Sequence, residues 1–101
     1  MAISGDKYTF TQENADRSPT DEGVYALYDS DTTIYIGKGD GTNGIRTRLQ
    51  AHKRGDEGKC TQGASHYRRE ACLNSATRER QELVAYKQVH ERLPRCNDVM
   101  P

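Results

Sequence analysis

The run GVYALYDSDTTIYIGKG, residues 23–39, constrains the fold more than any other part of the chain. Val24 to Tyr28 and Thr33 to Gly37 are rich in β-branched and aromatic residues, and Asp29, Ser30 and Asp31 between them are turn formers. The stretch predicts a β-hairpin. Side chains alternate faces along a strand, so Tyr25 shares a face with Leu27 while Val24, Ala26 and Tyr28 take the other. Both faces are largely apolar, and such a strand needs cover on both sides. A three-residue loop at 29–31 would set Tyr25 directly opposite Tyr35, whereas a two-residue loop would put the two tyrosines on opposite faces. Their partnership is therefore expected to depend on an odd-numbered loop.

Residues 1–20 have only Tyr8 and Phe10 as apolar anchors and read as a polar, partly ordered lead or a short edge segment before the domain at 21–101. After the glycine-rich turn GDGTNG comes IRTRLQAHKR, in which Ile45 and Leu49 form a short apolar stripe at helical spacing. Arg48 and His52, four apart, lie on one flank of that stripe and Arg46 on the other. ASHYRREACL predicts a third strand. Asn74 or Ser75 can cap the helix that follows, whose Ala76, Leu83, Tyr86 and Val89 form one apolar arc, and Pro94 lies just beyond its end. These elements predict an α/β fold: a small, three-stranded, mainly antiparallel sheet flanked by helices.

With 101 residues, 33% of them hydrophobic and 30% charged, the chain can build one small domain with a thin core. No apolar run approaches the roughly 20 residues of a membrane-spanning helix, and MAISGDKYTF lacks the pattern of a signal peptide. Cys60, Cys72 and Cys96 are odd in number and irregularly spaced, which argues for reduced thiols in a cytoplasmic, reducing compartment. Cys60 and Cys72 with His52 or His66 could hold zinc, although no CxxC pair supports that site. The net charge is zero but polarised. Seven acids stand against Lys7 and Arg17 in residues 1–31, while Lys38, Arg46, Arg48, Lys53 and Arg54 stand against Asp40 alone in residues 38–54. Such a face suits phosphate contacts or is simply a solvated helix surface.

A carboxylate inside an apolar arc is costly to bury unless something pairs with it. On a helical wheel Glu82 falls between Tyr86 and Val89, and Glu79 between Leu83 and Tyr86. Either one binds a metal ion or pairs with Arg48, Arg78 or Arg80.

GVY at 23–25 and YIG at 35–37, then Arg48 and His52 in RLQAH, a helical Glu, and Pro94 and Asn97 in PRCN resemble the GIY-YIG nucleases over residues 23–97. The resemblance implies an α/β sandwich that hydrolyses DNA phosphodiesters, duplex or branched, with one divalent cation, Mg2+ or Mn2+. It implies that Tyr25 and Tyr35 lie at the scissile phosphate, one of them positioning or deprotonating the attacking water. A free tyrosine with a pKa of roughly 10 is a poor base at neutral pH, so Lys38, Arg48 and the metal would have to favour the phenolate. By the same resemblance Arg48 neutralises transition-state charge and His52 sits near the nucleophile or leaving group. Glu82, with Glu79 as the alternative, binds the metal, and Asn97, Gly23 and Gly37 are structural. Lys38, Arg46, Lys53 and Arg54 are the expected DNA-contacting cations.

Three departures from the family pattern stand out. The stretch from Tyr35 to Arg48 carries about three extra residues, so Arg46 competes for the arginine role, and the RLxxH match favours Arg48. The span from Glu82 to Pro94 is about one helical turn longer than usual, which keeps the face and favours Glu82 over Glu79. The chain ends four residues after Asn97, so target choice is expected to come from the basic helix or from a partner protein. The competing expectation is a domain of the same fold that binds nucleic acid or protein without cleaving.

Overall fold

The computed structural model describes residues 3–100. Its centre is the hairpin of β2 (Gly23–Asp29) and β3 (Thr32–Gly39), joined by a two-residue loop, Ser30 and Asp31. Asp29 pairs with Thr32 and Tyr28 with Thr33, but Leu27 pairs with Tyr35, so Ile34 is an extra residue on β3. The loop is even-numbered, contrary to the odd count expected from parity. The one-residue bulge restores that parity, because two residues of β3 then oppose one of β2. Tyr35 stands across from Leu27, and Tyr25 across from Gly37, with both tyrosines packed on one face.

On its other edge β2 pairs antiparallel with β4 (His66–Ala71), and β4 pairs with β1 (Tyr8–Thr9), giving the order β1-β4-β2-β3. The polar N-terminal stretch thus supplies a fourth, edge strand as well as α1 (Gln12–Asp16), which Thr11 caps through the Asn14 N–H. Phe10, only 3% exposed, anchors this segment against Tyr67.

Both faces of β2 are covered, as its two apolar sides demand. One face, with Tyr25, Leu27, Ile34 and Tyr67, packs under Ile45 and Leu49 of α2 (Gly44–Arg54) and Ala15 of α1. The other, with Val24, Ala26 and Ile36, packs against Leu83 of α4 (Ser75–His90). The apolar arc read along α4 is displaced. Ala76 is exposed and Val89 is 76% exposed, while Ser75, Glu79, Glu82 and Leu83 face inward. Ser75 is buried because its N–H and hydroxyl both donate to Glu22, which fixes the helix start, whereas Asn74 makes no side-chain cap bond. The inward stripe then runs one turn at a time from Ser75 through Glu79 to Leu83.

The first N–H groups of α2 are already taken. Ile45 N donates to Asp21 O and Arg46 N to Pro19 O, so this helix start is held by the chain's own carbonyls. A short α3 (Lys59–Gln62) lies between α2 and β4. The cysteines depart from the reduced state expected of them: Cys60 of α3 is bonded to Cys96, and only Cys72 is free. Two irregularly spaced cysteines 36 residues apart meet because the C-terminal segment returns along β3, where Cys96 N donates to Ile34 O. This pairing consumes Cys60, so the Cys60, Cys72, His zinc set is not assembled, and no cluster of three metal-ligating side chains of the His, Cys, Asp or Glu type occurs among the described residues. It also removes the ground on which a reducing compartment was read. Among the described residues no helix is long and apolar enough to cross a membrane.

Candidate active site

The site grows from the middle of β2. Tyr25 is fully buried, and its hydroxyl lies 2.7 Å from His52 Nε2 on α2. Tyr35 lies beside it at a ring-centroid distance of 6.1 Å, and the His52 ring meets both tyrosines edge-on. The glycine of YIG makes this packing possible. A Cβ on Gly37 would sit 2.6 Å from the Tyr25 hydroxyl and 2.7 Å from the Tyr35 ring. Gly23 is equally confined, since a Cβ there would fall 2.3 Å from Glu70 O.

His52 uses its other nitrogen as well: Nδ1 lies 2.8 Å from Thr61 Oγ1 of α3. Burial, reinforced by the Arg48 charge, lowers the His52 pKa to about 4, so the ring is neutral at physiological pH. Arg48 sits one turn before His52, and its positive charge acts on both Tyr25 and Tyr35. Burial nonetheless raises the pKa of both phenols, with Arg48 working in the opposite direction. The guanidinium itself is paired with Glu57, whose pKa it lowers through their hydrogen bond.

Tyr35, Glu57, Glu79, Leu83, Asn97 and Asp98 line a cleft of about 500 Å3. The two candidate glutamates of α4 open on different cavities. Glu79, 9% exposed, opens on this cleft, and burial raises its pKa against the pull of Lys38 and Arg48. Glu82, 4% exposed, bonds Arg78 at 3.3 Å, and Arg78 is tied in turn to Glu70. The cavity that Glu82 lines is a different one, with Tyr28, Tyr86 and His90.

The remaining candidates are placed as follows. Asn97 Oδ1 accepts from Ile36 N and its Nδ2 donates to Ile36 O, so its side chain continues the sheet pattern beyond β3. Lys38 reaches toward Glu79 but is bonded to Asp40 at 2.7 Å. Arg46 donates to Ser18 O on the far flank of α2, away from Tyr25. Lys53 covers the Phe10 ring, and Arg54 pairs with Asp56. Glu57, Thr61 and the Cys60–Cys96 bond were not singled out from the sequence. Glu57, Cys60 and Thr61 come from the stretch between α2 and β4, whose residues show no periodicity, and Cys96 comes from the C-terminal segment, so only the fold brings them together.

The sequence matches no protein-family model and no curated protein. Its backbone superposes on the N-terminal endonuclease domain of UvrC from Thermotoga maritima, bound to magnesium, with a TM-score of 0.56 and 19% identity, covering 86% of this chain and 94% of that one. The chain has the GIY-YIG fold. A point-mutant form of the same Thermotoga domain, bound to its catalytic divalent cation, gives a TM-score of 0.58 at 17% identity over 87% of this chain and 94% of that one. A second mutant form gives 0.57 at 18%. A GIY-YIG sheet with helices on both faces is the architecture read from the hairpin and the two helical stretches, with a two-residue edge strand added to it.

Proposed function

We propose that the chain is a divalent-metal-dependent DNA endonuclease, with Tyr25, Tyr35, Arg48 and His52 as its phosphate-handling centre and Glu79 as its metal ligand. The observation that carries this reading is the packing of Tyr25 and neutral, buried His52 behind Tyr35, which lines a cleft whose wall also holds the buried Glu79 and Glu57, the partner of Arg48. Glu79 is favoured over Glu82 because Glu82 already has a cationic partner and opens on another cavity. The donor set fits a hard cation: Mg2+ binds through one or two carboxylates and keeps several waters. An ion held by Glu79 would supply Lewis-acid stabilisation of the phosphoryl and leaving oxygens.

The protein's own groups do the rest. Tyr35 reaches the cleft wall while Tyr25 lies buried beneath it, so Tyr35 is the hydroxyl presented to a water or a phosphate oxygen. Arg48 is placed to meet charge building on the phosphoryl group, where a fixed cation out of bulk water is worth several kcal/mol. To do so it exchanges Glu57 for phosphate. Neutral His52 holds the Tyr25 hydroxyl through a 2.7 Å hydrogen bond without adding a second positive charge beside Arg48.

The test is incubation of the purified protein with supercoiled plasmid and with a branched DNA, with Mg2+ or Mn2+ and with chelator, beside Glu79→Ala, Arg48→Ala and Arg46→Ala. Cleavage that needs metal, disappears in Glu79→Ala, and falls more in Arg48→Ala than in Arg46→Ala is expected. Cleavage retained in Glu79→Ala would return the ligand role to Glu82. One observation favours the second reading, a non-cleaving binding module: Arg48, Lys38 and Arg54 each have an acidic partner, and Arg46 and Lys53 are held by a carbonyl and a ring. Folded protein that binds DNA and cuts neither substrate would establish that reading, or a need for a targeting partner.

A further inference from the structure

We infer that Thr61 is a positioning residue for the site: it accepts the Nδ1 hydrogen of His52 and so fixes the tautomer in which Nε2 receives the hydrogen bond of Tyr25. The argument is one of counting donors in a closed space. Tyr25 and His52 are fully buried and Thr61 is 2% exposed. The Tyr25 hydroxyl has His52 Nε2, 2.7 Å away, as its hydrogen-bond partner among the described residues. If His52 donated, the phenol hydrogen would be left without an acceptor in this closed space, at a cost of about 1–3 kcal/mol for a buried unpaired group. Nε2 must therefore accept. A neutral imidazole carries one N–H, which then lies on Nδ1 and points at Thr61 Oγ1, 2.8 Å away. The acidities agree with this direction. Both hydroxyls are buried, and a phenol is intrinsically the more acidic of the two donors.

Thr61 so occupies the place that a carboxylate or carbonyl takes behind many functional histidines, where the outer partner sets the tautomer and ring orientation. A hydroxyl does this without adding charge to a site that already holds Arg48. The residue is nine positions from His52 in sequence and reaches it from α3, which the Cys60–Cys96 bond ties to the segment carrying Asn97. Its catalytic consequence rests on the nuclease reading; the tautomer does not.

The test uses the full chain, Thr61→Val and Thr61→Ser. Valine keeps the volume and removes the acceptor, and serine restores the hydroxyl. Long-range 1H–15N NMR at neutral pH, with His66 and His90 assigned by substitution, reads the His52 tautomer directly. The Nδ1–H form is expected in the native chain and in Thr61→Ser, and its loss or mixing with the Nε2–H form in Thr61→Val. An Nε2–H form in the native chain, or an unchanged tautomer in a folded Thr61→Val, would overturn the proposal. With single-turnover cleavage as the second readout, Thr61→Val should slow the rate on the order of 10-fold with DNA affinity unchanged, and Thr61→Ser should recover it. A native chain that does not cleave removes the nuclease reading, while the spectrum still decides the role of Thr61.

Discussion

At the scale of single residues, Glu79 and Glu82 illustrate where a helical wheel stops being informative. Both face the sheet, as periodicity requires, but periodicity is silent on which neighbour each one meets. The neighbours decide the chemistry: Arg78 for Glu82, the Tyr35 cleft with Lys38 and Arg48 for Glu79. Glu82→Ala is therefore expected to act on stability, by on the order of 1–3 kcal/mol, since it strips one partner from Arg78. Thermal denaturation beside the cleavage assay separates the two residues. His52 carries a second prediction. Its folded pKa of about 4 lies below the ordinary 6.5, so between those values the unfolded chain binds more protons than the folded one. Its stabilising effect is complete above pH 6.5 and is lost as the pH falls toward 4, by ~3 kcal/mol. Glu70, held at about 2 by Arg78 and then by Ser4, adds a separate loss only below the usual glutamate range. Urea denaturation from pH 7 to 4 should show the first slope in the native chain and a much flatter one in His52→Phe.

At the scale of elements, the hairpin, the basic helix and the third strand were legible because each follows a short period with turn residues at its ends. What escaped was set by long-range register. The bulge at Ile34 replaces an odd loop as the device that brings Tyr35 beside Tyr25, and no local signal marks it. Gly37→Ala tests how tightly that register is held. With an added Cβ 2.6 Å from a buried hydroxyl, a loss of about 1–3 kcal/mol is expected, read as a lowered denaturation midpoint together with disturbed Tyr25 and His52 resonances. The edge strand β1 was hidden for a related reason: two residues suffice when the pairing strand is already formed. The segment between α2 and β4 has its own prediction. Glu57 holds Arg48 as a phosphate would, so Glu57→Gln should tighten DNA binding several-fold at low salt, and fluorescence anisotropy titrations would show the change or its absence.

At the scale of the whole molecule, a net charge of zero and the pairing of Lys38, Arg48 and Arg54 with acids point to few phosphate contacts. A shallow slope of log affinity against log salt is expected, nearer two than eight phosphates' worth. The Cys60–Cys96 bond lay beyond reach of the sequence, since three cysteines without regular spacing give no pairing. Closing a loop of this length stabilises by about 4 kcal/mol in the chain-entropy account, so reductant should lower the melting temperature clearly. The bond has a further, topological meaning. It turns residues 60–96 into a covalent ring that contains β4 and α4, and the β4–α4 linker lies open on that ring, with Leu73 92% exposed. A protease that nicks this linker would open the ring without releasing anything: both pieces stay tethered, and the nick shows on a gel only after the disulfide is broken.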